Sequence, residues 1–511
     1  VDRFRRLGVA GREITDTLHA VKRRDAIVHD IRSYGLKQSA RYFGLATADR
    51  EYVEGPEIYE TWRSDPERVR RYALDDVREV DALSRLLMAS SYALASMVPK
   101  SYERVATAGT GQGLIEPLLV RAYLHAARSL PKAGGVVAED PYVGGYTRMY
   151  YSGILSNVVK ADVASLYPSI MLAYNIAPRT DSLRVFPTML ERLTSLRLEH
   201  KARGRRTPPG SPERVYHDAM QGAMKILINS FYGSMGATFA LFGDVGAASQ
   251  VTQKGQEILL AMMRALRRRG MRLIEADTDG VYFTVPEGWT YEDELRLIEE
   301  VGRELPEGIS VEHDGRYRRM YSYQEKNYIL QGYDGTLKLV GAAFKSTRNE
   351  PYGERFFNEA LPLLLEGDFA GVRKCFERYV LAIRSRQLPV EDLTVTVQLT
   401  KSEEAYARSG RIEEQYEVLR TAKRSWKEGD RVTYYQAASG RRKLKKLYEP
   451  GARDYDAEYY VRKLRDTYAA RLSKAVAPED LNSLFGEMRG LFDRDPSEIQ
   501  PVIVEEQPPE E

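Results

Sequence analysis

The chain has 511 residues, of which 43% are hydrophobic and 29% charged, a composition typical of a globular protein that is too long for one compact core. Lysine and arginine number 76 and aspartate and glutamate 73, so the net charge of +3 neither requires nor excludes a nucleic-acid partner. The single cysteine, Cys375, excludes an internal disulfide and a cysteine-based zinc site, and no apolar run approaches the roughly 18 residues of a membrane span.

Helices dominate the predictions for the first half of the chain. Helical patterns cover 66-PERVRRYALDDVREVDALSRLLMASSYAL-94 and residues 110–130. A β-rich segment follows at 154–167. Residues 188–235 consist of two helical patterns on either side of 204-GRRTPPGSP-212, which predicts an antiparallel helical hairpin.

The second half mixes strands and helices. The stretch 272-RLIEADTDGVYFTV-285 predicts a β-hairpin, because Asp-Gly lies between two β-rich runs. Strands are predicted over 319–345 and a helix over 352–381, followed by a basic region of mixed structure. The acidic tail, 505-EEQPPEE-511, is predicted to be disordered.

Three aspartates in these elements are candidate metal ligands. Asp277 and Asp279 are two residues apart, so they can converge at the hairpin tip, where a cation would relieve their repulsion. Asp162 ends an apolar strand. Mg²⁺ takes one or two carboxylates and completes its coordination with water and phosphate oxygens, so the three aspartates predict a site for two-metal chemistry at phosphorus. The hairpin alone would favour the other interpretation, solvated turn residues.

Basic and polar residues occur at helical spacing nearby. Gln221, Lys225, Asn229 and Tyr232 are separated by four, four and three positions and share one helix face. In the preceding helix, Arg197 and Lys201 form a second cationic pair at i, i+4. These groups suit a triphosphate and a base. An ordinary amphipathic helix and surface charge are the alternative interpretations.

Longer motifs resemble one family. The stretches 162-DVASLYPS-169, 225-KILINSFYG-233 and 277-DTDG-280 resemble motifs A, B and C of family B DNA polymerases, in the family's order. Further similarities to the archaeal type are 142-YVGG-145, Lys326-Asn-Tyr328, 72-YALDD-76 and 455-YDAEYYVRKL-464. The resemblance extends over nearly the whole chain.

The resemblance implies a role for each matching residue. Asp162 and Asp279 would be the chief ligands of two Mg²⁺ ions, for which Mn²⁺ can substitute, and Asp277 would assist. Backbone N–H groups of 163–166 and three cations would bind the triphosphate of the dNTP. A steric-gate tyrosine would reject a 2′-hydroxyl. An amide would position the nucleotide, and an aromatic ring would pack at the nascent base pair. The residues concerned are Ser165, Leu166, Tyr167, Arg197, Lys201, Lys225, Asn229 and Tyr232.

The resemblance also implies contacts with primer–template DNA. Lys326 and Tyr328 would hold the duplex near the primer end, with Gly144 and Gly145 in the 142-YVGG-145 loop. A basic stretch at 420–447, which includes Arg424 and Lys427 and has Trp426, Tyr434 and Tyr435 interleaved, would grip the DNA backbone. A solvated basic face is the alternative interpretation of that stretch.

The implied fold class is α+β and multidomain, a right-hand polymerase with palm, fingers and thumb after a partial RNase H-like exonuclease domain. The expected domains are 1–98 (C-terminal part of an exonuclease-like domain), 99–180 (palm, first part), 181–236 (fingers), 237–365 (palm, second part), 366–500 (thumb) and 501–511 (disordered acidic tail).

Two departures from the family pattern stand out. Of the three exonuclease motifs only the third is present, as Tyr72 and Asp76, and the chain begins at Val1, downstream of the expected positions of the other two. Since one carboxylate cannot hold two ions, we predict no proofreading by this chain alone. Glu275 stands where archaeal-type enzymes usually have a tyrosine.

We therefore expect a DNA-directed DNA polymerase of replication or repair, cytoplasmic and nucleoid-associated, with no membrane partner. Besides primer–template DNA and dNTPs, a sliding clamp and an upstream exonuclease polypeptide are candidate partners. The rival interpretations are a catalytically silent DNA-binding scaffold, a 3′–5′ nuclease and an RNA-synthesising polymerase.

Overall fold

The computed structural model describes residues 9–28, 31, 33–109, 111–132, 144–345, 349–438, 444–486 and 493–508. The chain forms two units. One comprises Val1–Tyr146, Asp162–Met262 and Ile298–Glu312, and the other Thr147–Ala161, Met263–Leu297 and His313–Glu511. Within the described ranges, no helix is both long and apolar enough to cross a membrane.

Helices build the first unit. Up to residue 268 they are α1 (Thr17–Val28), α2 (Leu36–Tyr42), α3 (Ile58–Ser64), α4 (Pro66–Leu87), α5 (Ala89–Met97), α6 (Tyr102–Thr107), α7 (Glu116–His125), α8 (Leu166–Ala173), α9 (Val185–Arg206), α10 (Pro212–Met235) and α11 (Val245–Arg268). The single helical pattern predicted over 66–94 is thus two helices, and that predicted over 110–130 is the shorter α7 after a π turn at Gly111–Ile115.

The predicted helical hairpin is confirmed as α9 and α10. The Ser211 hydroxyl accepts a hydrogen bond from the Arg214 N–H at 3.1 Å, and Pro212 occupies the first helical turn, so α10 begins with a side-chain cap. Phe186 and Phe231 are fully buried with ring centroids 4.8 Å apart, which joins the two helices through their apolar faces.

A buried carboxylate, paired with an exposed arginine, fixes the start of α11. The Asp244 carboxylate is fully buried and accepts hydrogen bonds from the Arg179 Nε at 2.9 Å, the Arg179 N–H at 3.0 Å and the Ala247 N–H at 3.1 Å. Burial alone would raise the pKa of Asp244, but the bonds from Arg179 and Ala247 hold it below the ordinary value. The ionised carboxylate therefore stabilises the folded first unit.

The strands of the described residues lie largely in the second unit. They are β1 (Thr147–Met149), β2 (Tyr151–Val163), β3 (Arg272–Asp277), β4 (Gly280–Thr284), β5 (Val311–Gln324), β6 (Asn327–Gln331), β7 (Leu337–Val340), β8 (Val395–Gln398), β9 (Arg431–Ala437), β10 (Leu444–Leu447) and β11 (Ile503–Glu505). One sheet has the order β1-β3-β4-β2-β5-β6-β7, with β11 also paired to β2, and a second sheet has the order β10-β9-β8. The last two residues of β2, Asp162 and Val163, belong to the first unit.

The remaining helices are α12 (Tyr291–Gly302), α13 (Pro351–Glu366), α14 (Phe369–Arg384), α15 (Glu403–Ser409), α16 (Glu414–Thr421), α17 (Ala457–Lys463) and α18 (Leu481–Phe485). The helix predicted over 352–381 is therefore two helices, α13 and α14, because Gly367 adopts a φ of 79° and ends the first. The aromatic rings of Phe356 and Phe376 pack between them, with centroids 6.0 Å apart. At Gly353 an added Cβ would lie 2.1 Å from the Tyr468 ring, so the close approach of this ring requires glycine.

The prediction of a disordered tail over 501–511 is wrong for residues 501–508. Strand β11 pairs antiparallel with β2, and the Glu506 carboxylate accepts hydrogen bonds from the Ser152 hydroxyl at 2.5 Å and the Lys474 ammonium at 2.6 Å. Gly153 makes room for this pairing, because a Cβ there would lie 2.0 Å from the Val502 carbonyl oxygen. Charge composition suggested solvation, whereas backbone pairing of Ile503–Glu505 with Tyr151–Gly153 and the contacts of Glu506 order the tail.

Candidate active site

The predicted β-hairpin at 272–285 is present. Its two-residue loop lies one position before the Asp-Gly pair at 279–280 that indicated the turn. Asp277 pairs with Gly280, so the two loop residues are Thr278 and Asp279, and the Asp279 N–H donates to the Asp277 carbonyl at 2.7 Å. Thr278 has a φ of 64°, an uncommon conformation for a β-branched residue. Asp277 ends a strand and Asp279 lies exposed in the loop, so strand alternation does not determine their positions.

Lys326 provides a counter-charge for one of these aspartates. Its ammonium lies 3.1 Å from Asp277 Oδ1 and donates to Thr278 Oγ1 at 3.3 Å. The Lys326 and Asp277 side chains are 51% and 27% exposed, so water screens the pair. Lys326 therefore offsets part of the negative charge of Asp277 inside the chain.

Glu275 is the buried acid beneath the hairpin. It is inaccessible to solvent, and its Oε1 accepts a hydrogen bond from the Lys326 backbone N–H at 2.6 Å. Burial raises the pKa of Glu275 to about 8, although the hydrogen bond from Lys326 acts in the opposite direction. Sequence reasoning noted Glu275 as a departure but could not predict this contact, because 51 residues separate the two groups.

Tyr328 lies inside the sheet. Its hydroxyl is 3.0 Å from the hydroxyl of Tyr282, and the side chains are 4% and 3% exposed. Burial raises the pKa of both phenols. Of the pair predicted to hold the duplex, only Lys326 therefore presents its side chain at the surface in this structure.

In the first unit, the chain turns sharply after Asp162. Ser165 adopts a left-handed φ of 51° and immediately precedes α8, which begins at Leu166. The Ala164 N–H donates to the Ser310 carbonyl at 2.9 Å. The Ala164 N–H is therefore already hydrogen-bonded within the chain, unlike the prediction that N–H groups of 163–166 bind the triphosphate. The N–H groups of Ser165 and Leu166, at the start of α8, remain candidates for that role.

Two residues predicted to face the nucleotide contact each other. The rings of Tyr167 and Tyr232 have centroids 4.3 Å apart and an interplanar angle of 32°. On α11, a Cβ added at Gly255 would lie 3.4 Å from Tyr167 Cε1, so the helix packs closely against this ring. The ring of Tyr167 thus lies between the ring of Tyr232 and helix α11, and these contacts restrict rotation of its side chain.

The cationic face of α10 is present as predicted. Lys225 and Asn229 are exposed, while Leu227 and Phe231 on the other side are buried. On α9, Lys201 is partly exposed, and burial lowers the pKa of Arg197. The Arg197 Nε is buried and has no hydrogen-bond acceptor among the described residues, so this guanidinium can still bind an anion.

The two glycines predicted near DNA are at the surface. Gly144 and Gly145 are exposed, and the Gly144 carbonyl accepts a hydrogen bond from the Gln256 side-chain amide at 2.8 Å. Tyr142 and Val143, the first half of this motif, lie outside the described residues.

In the stretch 420–447, which was predicted to bind the DNA backbone, the basic side chains named in the prediction are exposed, whereas the interleaved aromatic side chains are buried. Arg424 and Lys427 are exposed. Trp426, Tyr434 and Tyr435, interleaved among the cations, are 6%, 7% and 2% exposed and belong to hydrophobic cores. Tyr434 and Tyr435 are neighbours on β9, so they point to opposite faces of the strand and enter different cores, and Trp426 lies before β9 and packs with Tyr434. Three further basic residues, Arg441, Arg442 and Lys443, lie outside the described residues.

On α4, the side chains of Tyr72 and Asp76 contact basic side chains of the same chain. Arg50, 6% exposed, forms an ion pair with Asp76 and with Glu79, whose Oε1 is 3.0 Å from the Arg50 Nε. The Arg50 guanidinium lies 5.3 Å and the Lys37 ammonium 4.6 Å from the centre of the Tyr72 ring. Sequence reasoning missed Arg50, which carries no local signal of this contact.

Asp162, Asp277 and Asp279 supply hard oxygen donors of the type that Mg²⁺ prefers. Within the part of the chain that the structure describes, no group of three or more His, Cys, Asp or Glu side chains that could hold a metal ion occurs. Mg²⁺ needs only one or two protein carboxylates, because water and phosphate oxygens complete its coordination. The donor chemistry of these residues therefore fits Mg²⁺.

Comparisons with known proteins agree with the motifs. The family model for DNA polymerase family B matches residues 181–477. A DNA polymerase of Archaeoglobus fulgidus is 27% identical over 74% of this chain and 50% of its own length. One from Pyrococcus glycovorans is 26% identical over 89% of this chain and 62% of its own length.

The fold also matches a solved structure, the family B DNA polymerase from Pyrobaculum calidifontis. The TM-score is 0.71 at 23% identity, with 95% of this chain and 65% of that one covered. The chain thus spans between half and two thirds of the length of these relatives. Because the family model covers more than half of its residues, the chain belongs to DNA polymerase family B.

Proposed function

We propose that this chain carries the polymerase part of a DNA-directed DNA polymerase, which extends a primer 3′-hydroxyl with dNTPs on a DNA template. The observation that carries the proposal is the β3–β4 hairpin, which exposes Asp279 while Lys326 balances the charge of Asp277. Family membership supports the reaction class, and the Tyr167–Tyr232 ring pair supports a nucleotide substrate.

The proposal assigns the palm to 99–180 and 237–365, the fingers to 181–236 and the thumb to 366–500. The hairpin of α9 and α10 supports the fingers assignment, because it presents its cations on a rigid helical frame. Residues 1–98 are assigned to the remnant of an exonuclease-like domain.

Asp162 and Asp279 are proposed to hold two Mg²⁺ ions, with Asp277 assisting. Bound ions would supply activation of the attacking hydroxyl and stabilisation of the leaving oxygen. Arg197, Lys201 and Lys225 bind triphosphate oxygens and offset their negative charge.

Asn229 positions the nucleotide, and the ring of Tyr167 occupies the space that a ribose 2′-hydroxyl would need. Steric exclusion of this kind sets specificity by penalising the wrong substrate. Contact with Tyr232 and the close packing of Gly255 support this assignment, since a gate must resist displacement.

Primer extension tests the proposal. The purified chain, a primed DNA template, dNTPs and Mg²⁺ are expected to give extended products that disappear with EDTA and with Asp279→Asn. Glu287→Gln is the matched control, because Glu287 is an exposed acid just after β4 and should retain full activity. Absence of extension by the parent chain would refute the proposed function.

Proofreading is proposed to be absent from this chain alone. The ion pair of Arg50 with Asp76 supports this, because a guanidinium already neutralises the one carboxylate that the chain was predicted to keep from the exonuclease motifs. The proposed partners are DNA, dNTPs, a sliding clamp and an upstream exonuclease polypeptide. Trp62 and Val77, 53% and 66% exposed near this remnant, support a polypeptide partner there.

A further inference from the structure

A buried carboxylate under the β3–β4 hairpin needs a physical reason. Glu275 is inaccessible to solvent in the sheet, where its register partners are Met149 on β1 and Tyr282 on β4. Burying an acid costs free energy unless it forms compensating hydrogen bonds, and an apolar side chain of similar size would fill the space at lower cost. The contacts of Glu275 therefore indicate what the carboxylate contributes.

The carboxylate holds the backbone of one residue. Gln324 pairs with Asn327, so Glu325 and Lys326 form the two-residue turn between β5 and β6. Lys326 has a left-handed φ of 56°, and its N–H donates to Glu275 Oε1 at 2.6 Å. A non-glycine residue in this conformation persists only when its surroundings fix it.

The side chain of the same residue reaches the hairpin tip. Lys326 Nζ contacts Asp277 Oδ1 at 3.1 Å and Thr278 Oγ1 at 3.3 Å. Hydrogen bonds of Asn327 hold the other side of the turn, with the Glu325 carbonyl at 2.8 Å and the Ala343 N–H at 2.8 Å. Loss of the Glu275 contact would therefore release the Lys326 side of the turn without unfolding the sheet.

We propose that Glu275 is a positioning residue that fixes the β5–β6 turn through the Lys326 N–H and so aims the Lys326 ammonium at Asp277. The step from position to catalysis rests on the proposed function. A lysine held at Asp277 offsets the charge of one of two neighbouring carboxylates and so reduces their mutual repulsion.

Two substitutions of matched size separate this role from simple packing. Glu275→Gln keeps an oxygen that accepts the Lys326 N–H bond, whereas Glu275→Met keeps the volume and removes the acceptor. If Glu275 only filled space, methionine would be at least as good as glutamine. If Glu275 positions Lys326, only glutamine preserves the turn.

Amide hydrogen exchange of the full chain tests the contact without any reaction. Exchange at Lys326 is expected to rise about tenfold in Glu275→Met and less than about twofold in Glu275→Gln, which follows from loss of one buried hydrogen bond. Equal exchange in the two variants would overturn the inference. Thermal melting should show both variants folded, and Glu275→Ala provides the same comparison if methionine does not fit.

Primer extension tests the consequence. We expect kcat to fall about fivefold in Glu275→Met, with little change in the KM for dNTP, and to stay within about twofold of the parent in Glu275→Gln. Lys326→Met should lower kcat, and adding Glu275→Met to it should cause no further loss, because both act through one ammonium. Additive losses would overturn the inference, whereas a parent chain that does not extend primers would refute the proposed function and leave the exchange result to decide the role of Glu275.

Discussion

The two aspartates of the hairpin should differ sharply in their tolerance of substitution. Asparagine at either position keeps the shape and removes one negative charge. We expect Asp277→Asn to lower the rate of primer extension by about 2- to 5-fold and Asp279→Asn to lower it by about 1,000-fold or more. Both variants are compared with the parent at saturating dNTP and primed template.

The magnitudes follow from the surroundings of each carboxylate. Asp277 faces an ammonium at 3.1 Å, but the pair is 27% and 51% exposed, so its net worth is about 0.2–1 kcal/mol. That energy corresponds to less than about a factor of 5 in rate. Removing a proposed chief metal ligand instead forfeits several kcal/mol of stabilisation of the developing charge, and about 4 kcal/mol corresponds to roughly 1,000-fold.

The comparison is decisive because the substitutions are identical and lie two residues apart. Thermal melting of both variants checks that the hairpin remains folded, and Mg²⁺ titration of the rate reports weakened cation binding. Equal losses in the two variants, within about threefold, would refute the argument that Lys326 reduces the role of Asp277. A larger loss in Asp277→Asn would reverse the assignment of the chief ligand.

Four further outcomes can be measured. Asp244→Asn should lower the unfolding free energy by about 2 kcal/mol at neutral pH. Because the pKa of Asp244 is lowered in the folded state, its contribution to stability is present above the unfolded pKa and is lost as pH falls through the folded pKa. The Tm values of variant and parent should therefore converge when both are measured at decreasing pH. Gly353→Ala should destabilise the second unit by about 1–3 kcal/mol in urea unfolding, because its methyl group would overlap the buried ring of Tyr468. Tyr167→Val should raise the incorporation of ribonucleotides relative to deoxynucleotides by at least about tenfold in single-nucleotide assays, and an unchanged ratio would contradict the gate. Labelled 3′ ends should stay intact without dNTPs in the parent and in Asp76→Ala alike, and degradation that depends on Asp76 would contradict the absence of proofreading.

Local patterns predicted much of the secondary structure. The helical hairpin of 188–235 and the hairpin of 272–285 were recoverable because periodicity, proline and Asp-Gly signals act within a few residues. Element ends were less predictable: the helix expected over 352–381 is divided at Gly367, and the loop of the β3–β4 hairpin is displaced by one residue. At the end of a helix or strand, the local preference to continue or to stop differs by a small free energy, which tertiary packing readily overrides.

Burial and long-range contacts were the main source of error. The aromatic residues of 420–447 share their sequence neighbourhood with exposed cations, yet Trp426 and Tyr435 pack into cores. The acidic tail pairs with β2 over Tyr151–Gly153, about 350 positions earlier in the chain, a contact that the composition of the tail does not reveal.

By itself, the sequence determined the family, since three long motifs in a fixed order require residue identity and spacing alone. It also determined which side chains could bind metal, phosphate and base. Only the tertiary structure decided the surroundings of the acidic side chains: Lys326 beside Asp277, Arg50 beside Asp76 and Glu275 beneath the hairpin. These contacts join residues 26 to 51 positions apart, and electrostatic energy depends on distance and burial in the folded chain, which no local pattern specifies.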